Sequence, residues 1–284
     1  MNALIMPSFN KENSFEIVSD ICLKLNEIGI HIMADNKHSN RLPMFNIEFG
    51  VYRELLKKCD FIVAIGGDGT IIHASKHAIS VDKPVVGINV GRLGFLACIE
   101  PNRIDVLENL VTGNYTIKKQ MMLKVDVEKN GVVESFYALN DAVISRGAFP
   151  RIIDLDLYCD NKYVSHYRAD GVIISTPIGS TAYNLSAGGP IVDPELESII
   201  VTAICPHALG SMPFVFRHNK LLEISSKQSV EDEICLTVDG ESNILIDKNV
   251  VIKIYKADLY AKFVAFNERE FYEIINEKLV GKIL

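Results

Sequence analysis

The sequence predicts two architectures in one chain: an α/β N-terminal domain with a parallel sheet, and a β-rich, sandwich-like C-terminal domain. Over the first hundred residues apolar runs alternate with helical patterns, an order typical of a parallel sheet covered by helices. After about residue 115, short alternating runs follow one another at the spacing typical of a sandwich. The chain has 284 residues, which is long enough for two such domains.

The first half is predicted to alternate strands with helices. Apolar residues recur at helical spacing between Asn13 and Ile28, and Gly29 is a good helix stop. Residues 35–50 are polar and irregular, and no element is predicted there. The predicted strands are Ala3–Met6, Ile30–Ala34, Phe61–Ile65 and Pro84–Ile88, and the other helices are Val51–Lys58 and Thr70–Ile79.

The second half is predicted to consist mainly of short strands. Asn-Gly at 130–131 lies between two alternating runs, which is a strong hairpin signal, and Asp-Asn at 160–161 is flanked in the same manner. A helix over about 268–280 closes the chain. The predicted strands are 123–127, 132–137, 155–158, 162–167, 172–176, 199–204, 220–224, 234–238, 250–255 and 259–266.

Composition and charge narrow the class of protein. Hydrophobic residues make up 48% and charged residues 23%, as in ordinary folded proteins. The net charge of -7 argues against nucleic-acid binding by a basic surface, so an anionic ligand needs local N–H groups, arginines or a metal ion. The N-terminus lacks the pattern of a signal peptide, and no uncharged apolar stretch reaches the roughly 18 residues of a membrane span. We therefore expect a cytoplasmic protein that does not bind membranes.

The six cysteines, at positions 22, 59, 98, 159, 205 and 235, form no CxxC pair. Most of them lie in or beside apolar runs. This favours buried free thiols in a reducing compartment, and a disulfide or zinc framework is the alternative.

The loop Gly66–Thr70 is the first candidate site. Three glycines surround Asp68 directly after the apolar run that ends at Ile65. Glycines allow a sharp turn and close approach of a ligand, and a strand that ends in such a loop before a helix often holds phosphate. The pattern is neither a P-loop nor a GxGxxG fingerprint. The alternative is a tight turn in which Asp68 caps the next helix.

The segment from Tyr167 to Pro190 is the second candidate, because it is rich in glycine and small hydroxyl residues. Such a loop can offer N–H and hydroxyl groups to phosphates and ribose, although a polar surface connection is the alternative. Asn140-Asp141, inside an apolar run, can recognise a base edge and ribose hydroxyls, or can mark a bulge or turn. Phe95, in the glycine-containing run 87–96, can stack on a base or pack in the core. His207 is more simply explained as structural.

Together these stretches resemble the NAD kinase family, of the bacterial ATP-NAD kinase type, over roughly residues 60–240. GGDGT alone is shared with diacylglycerol and sphingosine kinases, whereas GSTAYNLSAGGP is specific to NAD kinases. The matching segments are GGDGT at 66–70, Gly91–Leu96, Asn140-Asp141, YRADG at 167–171, TPIGSTAYNLSAGGPI at 176–191 and CPH at 205–207.

The resemblance implies a Rossmann-like α/β domain over 1–110, completed by about 267–284, and a β-rich NAD-binding domain over 111–266, with the active site between them. It implies ATP-dependent phosphorylation of the adenosine-ribose 2′-hydroxyl of NAD to give NADP, with Mg²⁺ accompanying ATP, in a homodimer or homotetramer. A lipid or sugar kinase of the wider GGDGT superfamily and a non-catalytic dinucleotide-binding regulator are the alternatives.

The resemblance also assigns residues. Asp68 is expected to be the catalytic base, and no side chain is assigned as a metal ligand. Many relatives have Asp-Gly-Gln where this chain has Asp239-Gly240-Glu241, which leaves a ligand contact by Glu241 open. Phosphate and ATP binding is assigned to Gly66, Gly67, Gly69 and Thr70. NAD binding is assigned to Asp68, Gly69, His73, Phe95, Asn140, Asp141, Arg151, Arg168, Asp170, Thr181, Ala182, Tyr183, Asn184, Leu185 and Ser186.

Overall fold

A computed structural model of the chain divides into two compact units, Met1–Lys119 together with Ala261–Leu284, and Gln120–Tyr260. These divisions fall at 119/120 and 260/261, compared with the domain limits of 110/111 and 266/267 expected from the sequence. The structure describes residues 1–11, 13–43, 45–90, 94–96, 99–129, 131–147, 151–208, 210–226, 234–246, 250–266 and 271–280.

The strands are, in chain order, β1 (Asn2–Pro7), β2 (His31–Asp35), β3 (Ile47–Gly50), β4 (Phe61–Gly66), β5 (Val85–Asn89), β6 (Thr116–Lys129), β7 (Val132–Ala138), β8 (Asp141–Arg146), β9 (Ile153–Cys159), β10 (Lys162–Ala169), β11 (Gly171–Ser175), β12 (Ser198–Ile204), β13 (Phe214–Arg217), β14 (Leu222–Ser226), β15 (Ile234–Val238), β16 (Ser242–Ile246) and β17 (Val251–Ala265).

The α-helices are α1 (Ser14–Glu27), α2 (Tyr52–Lys58), α3 (Asp68–Ile79), α4 (Glu108–Thr112), α5 (Tyr183–Ser186) and α6 (Phe271–Ile275), and α6 continues as a π-helical turn over Asn276–Val280. Short 3₁₀ segments cover Asn36–His38, Pro101–Leu107 and Ile178–Thr181. Within the described residues, no helix is both long enough and apolar enough to cross a membrane.

The first unit contains the predicted parallel sheet, with strand order β3-β2-β1-β4-β5. The end of β17 continues the sheet beyond β5, where Phe263 pairs with Val85. Every residue of β4 is buried, as expected for a central parallel strand. The chain runs outward from β1 to β2 and β3 on one side, and from β4 to β5 on the other. The crevice between β1 and β4 is therefore the switch point at which such sheets bind ligands.

The core of the first unit forms where α1 covers the sheet. Val18, Ile21 and Leu25 of α1 are buried in one cluster with apolar residues of β1, β2 and β4. The helix ends as predicted, because Gly29 has a φ of 75°, a left-handed conformation that costs glycine little.

The second unit is a sandwich of antiparallel sheets, as predicted. One sheet contains β10-β9-β14-β17, with β6 pairing with both β17 and β7, and the other has the order β13-β12-β11-β8-β15-β16. A single hydrophobic cluster takes residues from both sheets, among them Leu157, Ile174, Leu236 and Ile254. The two sheets therefore share one core.

Both predicted hairpins are confirmed. β9 and β10 pair antiparallel, and Asp160 and Asn161 have φ values of 50° and 62°. Two consecutive positive φ values are characteristic of a type I′ turn. β6 and β7 pair antiparallel up to Lys129 and Val132, and Asn130 of that turn lies outside the described residues.

Some predictions about individual elements were wrong. The segments 250–255 and 259–266 are one continuous strand, β17, and Ala257 between them is buried, out of phase with the buried Ile252 and Ile254. Residues 35–50 contain the edge strand β3. Helix α3 begins at Asp68 rather than Thr70. Strands β13 and β16 were not predicted.

The cysteines within the described residues are free thiols, as expected, but not all are buried. Cys22 and Cys59 are buried, and burial raises the pKa of the Cys22 thiol to about 12. Cys205 is exposed in the turn that follows β12, which corrects the expectation for this residue. Cys98 lies outside the described residues.

Candidate functional site

The glycine loop connects β4 to α3, and its glycines have different surroundings. A Cβ on Gly66 would overlap the side chain of Thr70, so the turn needs glycine there. A Cβ on Gly69 would meet no atom within 4 Å, so this position faces open space. Among the described residues, none accepts a hydrogen bond from the N–H groups of Gly67, Asp68 or Gly69. The loop therefore presents backbone donors at the start of α3, where an anion is favoured.

The carboxylate of Asp68 is held by a loop from another part of the first unit. The backbone N–H of Phe95 donates to Asp68 Oδ2 at 3.0 Å, and that of Leu96 donates to Oδ1 at 3.2 Å. A Cβ on Gly94 would overlap the same carboxylate. The alternative that Asp68 caps α3 is wrong, because Gly67 occupies the N-cap position and no side chain caps this helix. Asp68 is thus fixed in one orientation at the end of β4.

Phe95 lies beside Asp68 but is already covered on one face. Lys278 Nζ lies 3.7 Å from the centroid of the Phe95 ring, in a cation–π contact. Phe95 is half-buried, so it is not a fully packed core residue, which was the alternative. Of the predicted segment Gly91–Leu96, residues 91–93 lie outside the described part of the chain.

A cavity of about 310 Å³ opens beside the glycine loop, within the first unit. It lies at the switch point between β1 and β4 and is bordered by charged and aromatic side chains. Burial, together with the nearby charge of Lys37, lowers the pKa of His38, so that the neutral imidazole is favoured. The cavity is lined by Ile5, Met6, Pro7, Asp35, Lys37, His38, Tyr52, Gly69, Thr70 and His73.

His73, another predicted site residue, lines this cavity together with Gly69 and Thr70. It lies on α3, one turn after Gly69, and its Nε2 atom is 3.3 Å from Nε2 of His77. The structure therefore brings Asp68, Gly69, Thr70 and His73 to one helix terminus, next to a space large enough for part of a nucleotide.

In the second unit, the Asn140-Asp141 pair is held by a carboxylate that sequence analysis did not identify as part of the site. Asp239 accepts hydrogen bonds from three consecutive backbone N–H groups, those of Leu139 (2.9 Å), Asn140 (2.8 Å) and Asp141 (3.1 Å). Asp239 itself has a left-handed φ of 50°. Asn140 precedes β8 and Asp141 begins it, so the pair lies at a strand end that Asp239 fixes.

The hydroxyl-rich loop after β11 packs against the other side of this pair. Thr176 Oγ1 donates to the Leu139 carbonyl at 2.6 Å, and the Thr176 N–H donates to the Asn140 carbonyl at 2.9 Å. A Cβ on Gly179 would overlap the Asn140 backbone. Asn140 Oδ1 is enclosed and has no hydrogen-bond partner among the described residues. A buried acceptor in that state is unusual and is consistent with a site that a ligand completes.

The segment 181–186 contains both supporting and exposed side chains. Asn184 is fully buried, with Nδ2 donating to the carbonyls of Ser180 and Pro190, and with Oδ1 accepting from Thr202. Tyr183, by contrast, is 45% exposed. In this conformation Asn184 holds the loop together, whereas Tyr183 is free to stack on a base. Thr181 is nearly buried, Ala182 and Leu185 are half-buried, and Ser186 is exposed.

Of the remaining predicted residues, Arg168 and Asp170 lie at the end of β10. Asp170 follows β10, and its Oδ1 lies 3.1 Å from Nε of Arg146, a residue that sequence analysis did not select. The exposed Arg168 accepts a hydrogen bond on its carbonyl from the N–H of His207 at 2.9 Å. Arg151 is exposed before β9, and the structure gives it no specific place in this group. Glu241 is exposed in the turn after Asp239.

Comparison with known families identifies an NAD kinase domain in each half of the chain. The ATP-NAD kinase N-terminal domain matches residues 8–115, and the ATP-NAD kinase C-terminal domain matches residues 139–266. NAD kinase from Thermoanaerobacter sp. (strain X514) is 36% identical over 98% of each chain. NAD kinase from Carboxydothermus hydrogenoformans is 41% identical over 82% of this chain and 84% of its own.

Solved structures agree in fold. An NAD kinase from Archaeoglobus fulgidus, in complex with ATP, superposes with a TM-score of 0.74 and 26% identity, covering 100% of this chain and 98% of its own. Yeast NADH kinase, in complex with NADH, has a TM-score of 0.87 over 99% of this chain and 87% of its own, but its identity of 24% supports the fold alone. With both family domains matched and relatives of 36–41% identity over most of its length, this chain belongs to the NAD kinase family.

Proposed function

We propose that Asp68 is the catalytic base of an NAD kinase that phosphorylates the adenosine-ribose 2′-hydroxyl of NAD. The 2′-oxygen forms a bond to the γ-phosphorus of ATP, the bond from that phosphorus to the ADP oxygen breaks, and Asp68 accepts the hydroxyl proton. The products are NADP and ADP. The observation that carries this proposal is the carboxylate of Asp68, which two backbone N–H groups fix beside the carboxyl end of β4.

The geometry of Asp68 suits a base that acts from a fixed position. Two lone-pair directions of the carboxylate are used by the N–H groups of Phe95 and Leu96, and about two others stay available for a hydroxyl proton. Such a base contributes about 10²–10⁴ in rate. The rest of the acceleration comes from aligning the reactants and neutralising charge on the phosphoryl group.

The phosphates of ATP would be bound by the N–H groups of Gly67 and Gly69, with Gly66 allowing the turn and Thr70 offering its hydroxyl. These donors start α3, whose N-terminal partial charge favours anions. We place part of the bound nucleotide in the neighbouring cavity, in which His73 supplies a hydrogen-bonding ring.

NAD would be held in the second unit by Asn140 and Asp141, by the exposed members of 181–186, and by Arg168 and Asp170. Asn140 contributes the enclosed Oδ1, which needs a donor. Tyr183 contributes an exposed aromatic face on which a base can stack. For Asn184, whose amide is fully used within the protein, we propose that the predicted contribution is to hold the loop.

The divalent metal is proposed to be Mg²⁺. Among the described residues, no three His, Cys, Asp or Glu side chains are close enough together to form a metal site. We therefore propose that the ion is bound mainly by the phosphates of ATP and by water, which is how Mg²⁺ usually enters kinase sites. When bound, the ion neutralises charge on the phosphates.

The decisive experiment incubates the purified protein with NAD, ATP and Mg²⁺ and measures NADP with an NADP-specific dehydrogenase. NADH and diacylglycerol are offered in parallel as acceptors. We expect NADP to form and no phosphate to reach the lipid. A correctly folded sample that binds NAD by calorimetry without turnover would instead identify a dinucleotide-binding regulator, and transfer to the lipid alone would identify a lipid kinase.

We also propose that the two units are the two predicted domains and that the enzyme is a homodimer or homotetramer. Strand β13 is at one edge of its sheet and exposes apolar side chains, including Val215 at 55%. An exposed apolar edge strand is a favourable surface for association with another copy. Light scattering on the purified protein measures the subunit number directly.

A further inference from the structure

We propose that Lys11 is a further substrate-binding residue of the kinase, and that its ammonium group contacts the phosphates of ATP at the glycine loop. This inference rests on the function proposed above. It concerns a residue in the turn between β1 and α1, about 55 positions before the loop that it reaches, which no motif in the sequence indicates.

The turn that carries Lys11 is well defined. The backbone N–H of Lys11 donates to Ser14 Oγ at 3.1 Å, and Ser14 Oγ donates to the carbonyl of Lys11 at 2.6 Å. Ser14 is buried at the start of α1. These reciprocal bonds fix the point from which the Lys11 side chain extends.

From this point the side chain crosses the carboxyl end of β4. Lys11 Nζ donates to the carbonyl of Val90 at 2.6 Å, and the N–H of Val90 donates to the carbonyl of Gly66 at 3.0 Å. Because β1 and β5 flank β4 on opposite sides, a side chain that starts after β1 and ends at the residue following β5 must pass the loop that begins at Gly66. The ammonium group is therefore beside the loop and not in solvent beyond it.

The contact with the loop is close. A Cβ placed on Gly67 would lie 3.6 Å from Lys11 Nζ, an ordinary van der Waals distance. Gly67 is the N-cap of α3, so the ammonium lies at the positive end of the helix, where a cation is disfavoured and an anion is favoured. No carboxylate among the described residues forms an ion pair with Lys11. A bound phosphate would be attracted by both the cation and the helix terminus, and this resolves the conflict between them.

The chemistry of lysine fits this role. An ammonium group has three N–H donors, and Val90 uses one of them, so two can point to phosphate oxygens. In phosphoryl transfer the developing charge on the γ-phosphoryl oxygens needs a fixed counter-charge. The net charge of the chain is -7, so attraction of ATP depends on local features, of which this cation is one.

The variant Lys11→Gln removes the positive charge and keeps an N–H donor, on a side chain one bond shorter than that of lysine. Lys11→Arg keeps the charge and serves as the rescuing variant. Lys57→Met is the matched control, because it removes the charge of an exposed lysine from α2 in the same unit.

For Lys11→Gln we expect kcat/KM for ATP to fall about 10- to 100-fold, the size of one charged hydrogen bond. Inhibition by inorganic tripolyphosphate, competitive with ATP, should weaken by a similar factor, because this probe has phosphates and no nucleoside. Lys11→Arg should recover most of both, and Lys57→Met should change neither. NAD affinity, measured by calorimetry, should be the same in all variants.

A purely structural Lys11 gives a different result. In one such outcome, the tripolyphosphate inhibition constant and the kcat/KM for ATP of Lys11→Gln stay within about twofold of the wild-type values. In the other, Lys11→Gln loses NAD affinity and thermal stability together. Either outcome overturns the proposal. If Lys11→Gln does not fold, Lys11→Arg is the test. The proposal then requires that Lys11→Arg folds and keeps the tripolyphosphate inhibition constant of the wild type. A wild-type protein that forms no NADP would refute the proposed function itself. In that case, calorimetric binding of tripolyphosphate to the wild type and to Lys11→Gln tests the Lys11 contact without turnover.

Discussion

Gly94 packs directly against the carboxylate of Asp68, with no room for a side chain between them. A Cβ at position 94 would overlap Asp68 Oδ1, while the next two residues donate their N–H groups to the same carboxylate. For Gly94→Ala we therefore expect Asp68 or the loop 94–96 to shift. Because a misplaced base loses most of its effect, kcat should fall by about 10²-fold or more. Steady-state NADP formation measures this loss, and thermal unfolding shows that the fold is retained.

A double-mutant cycle identifies the cause of that loss. If Gly94→Ala acts by displacing the Asp68 carboxylate, adding it to Asp68→Ala should cost little further activity, because coupled residues are not additive. Losses that multiply in the double variant would mean that Gly94 serves another part of the site, such as Phe95.

Asp68→Asn tests the base while nearly preserving its shape. The amide oxygen can still accept one of the two backbone N–H bonds, but the side chain can no longer take up a proton. We expect kcat to fall by about 10²–10⁴, with a much smaller change in the Kd for NAD. Rapid-quench kinetics and calorimetry measure the two quantities separately. Turnover equal to that of the wild type would remove Asp68 from the mechanism.

Gly69→Ala separates ligand binding from folding in the glycine loop. A Cβ at 69 meets no protein atom within 4 Å, and alanine in a helix is about 1 kcal/mol better than glycine. The variant should therefore unfold at an equal or higher temperature. Since Gly69 lines the cavity and we propose that its N–H binds phosphate, KM for ATP should nevertheless rise severalfold.

Gly66→Ala is the matched comparison for that prediction. Its added Cβ would overlap the Thr70 side chain, so we expect lower thermal stability together with lower activity. Equal behaviour of the two alanine variants in both assays would contradict the assignment of Gly69 to the ligand side of the loop.

Local patterns were sufficient to predict the elements that hold the loop. The buried strand β4, the glycine turn and the helix after it lie within about twenty consecutive residues. Because β4 is buried on both faces, its sequence is the continuous apolar run expected of such a strand. The edge strand β3 was missed because it has only four residues, Ile47–Gly50, so its alternation is too short to stand out from the polar stretch around it. Strand β17 was predicted as two strands, and the charged residues Lys256 and Asp258 lie where its apolar pattern is interrupted; Lys256 is paired with Glu197.

The supporting residues of the site could not be predicted for a different reason. Asp239 binds backbone N–H groups that are about a hundred residues earlier in the chain, and Lys11 reaches Val90 across the sheet. Contacts of this kind depend on strand order, which a single sequence specifies only through the complete fold. Asp239 has one local signal, its place before Gly240 in a turn, and that signal does not reveal its partners.

Asp239→Asn tests whether the Asn140-Asp141 pair is positioned by this carboxylate. The variant keeps one acceptor oxygen and replaces the other, which accepts either from Leu139 or from both Asn140 and Asp141, with an amide group. Each lost charged hydrogen bond costs about 1.5–3 kcal/mol, so we expect a weaker Kd for NAD by tenfold or more, with KM for ATP almost unchanged. Calorimetry and kinetics at saturating NAD distinguish these effects. As a control, Asp160→Asn removes a carboxylate charge from an exposed turn of the same unit and should leave both constants unchanged.

Glu197 predicts how the stability of the second unit depends on pH. Hydrogen bonds from Lys256 and then from Tyr260 lower the pKa of Glu197 below its ordinary value of 4.5. Because the folded state favours the charged carboxylate, this contribution is present above about pH 4.5 and is lost as the pH falls through the lower, folded-state pKa. The difference in Tm between the wild type and Glu197→Gln should therefore be largest near neutral pH and shrink steadily below pH 4.5. A difference in Tm that stays constant from pH 7 to pH 3 would mean that the charge of Glu197 does not stabilise the fold.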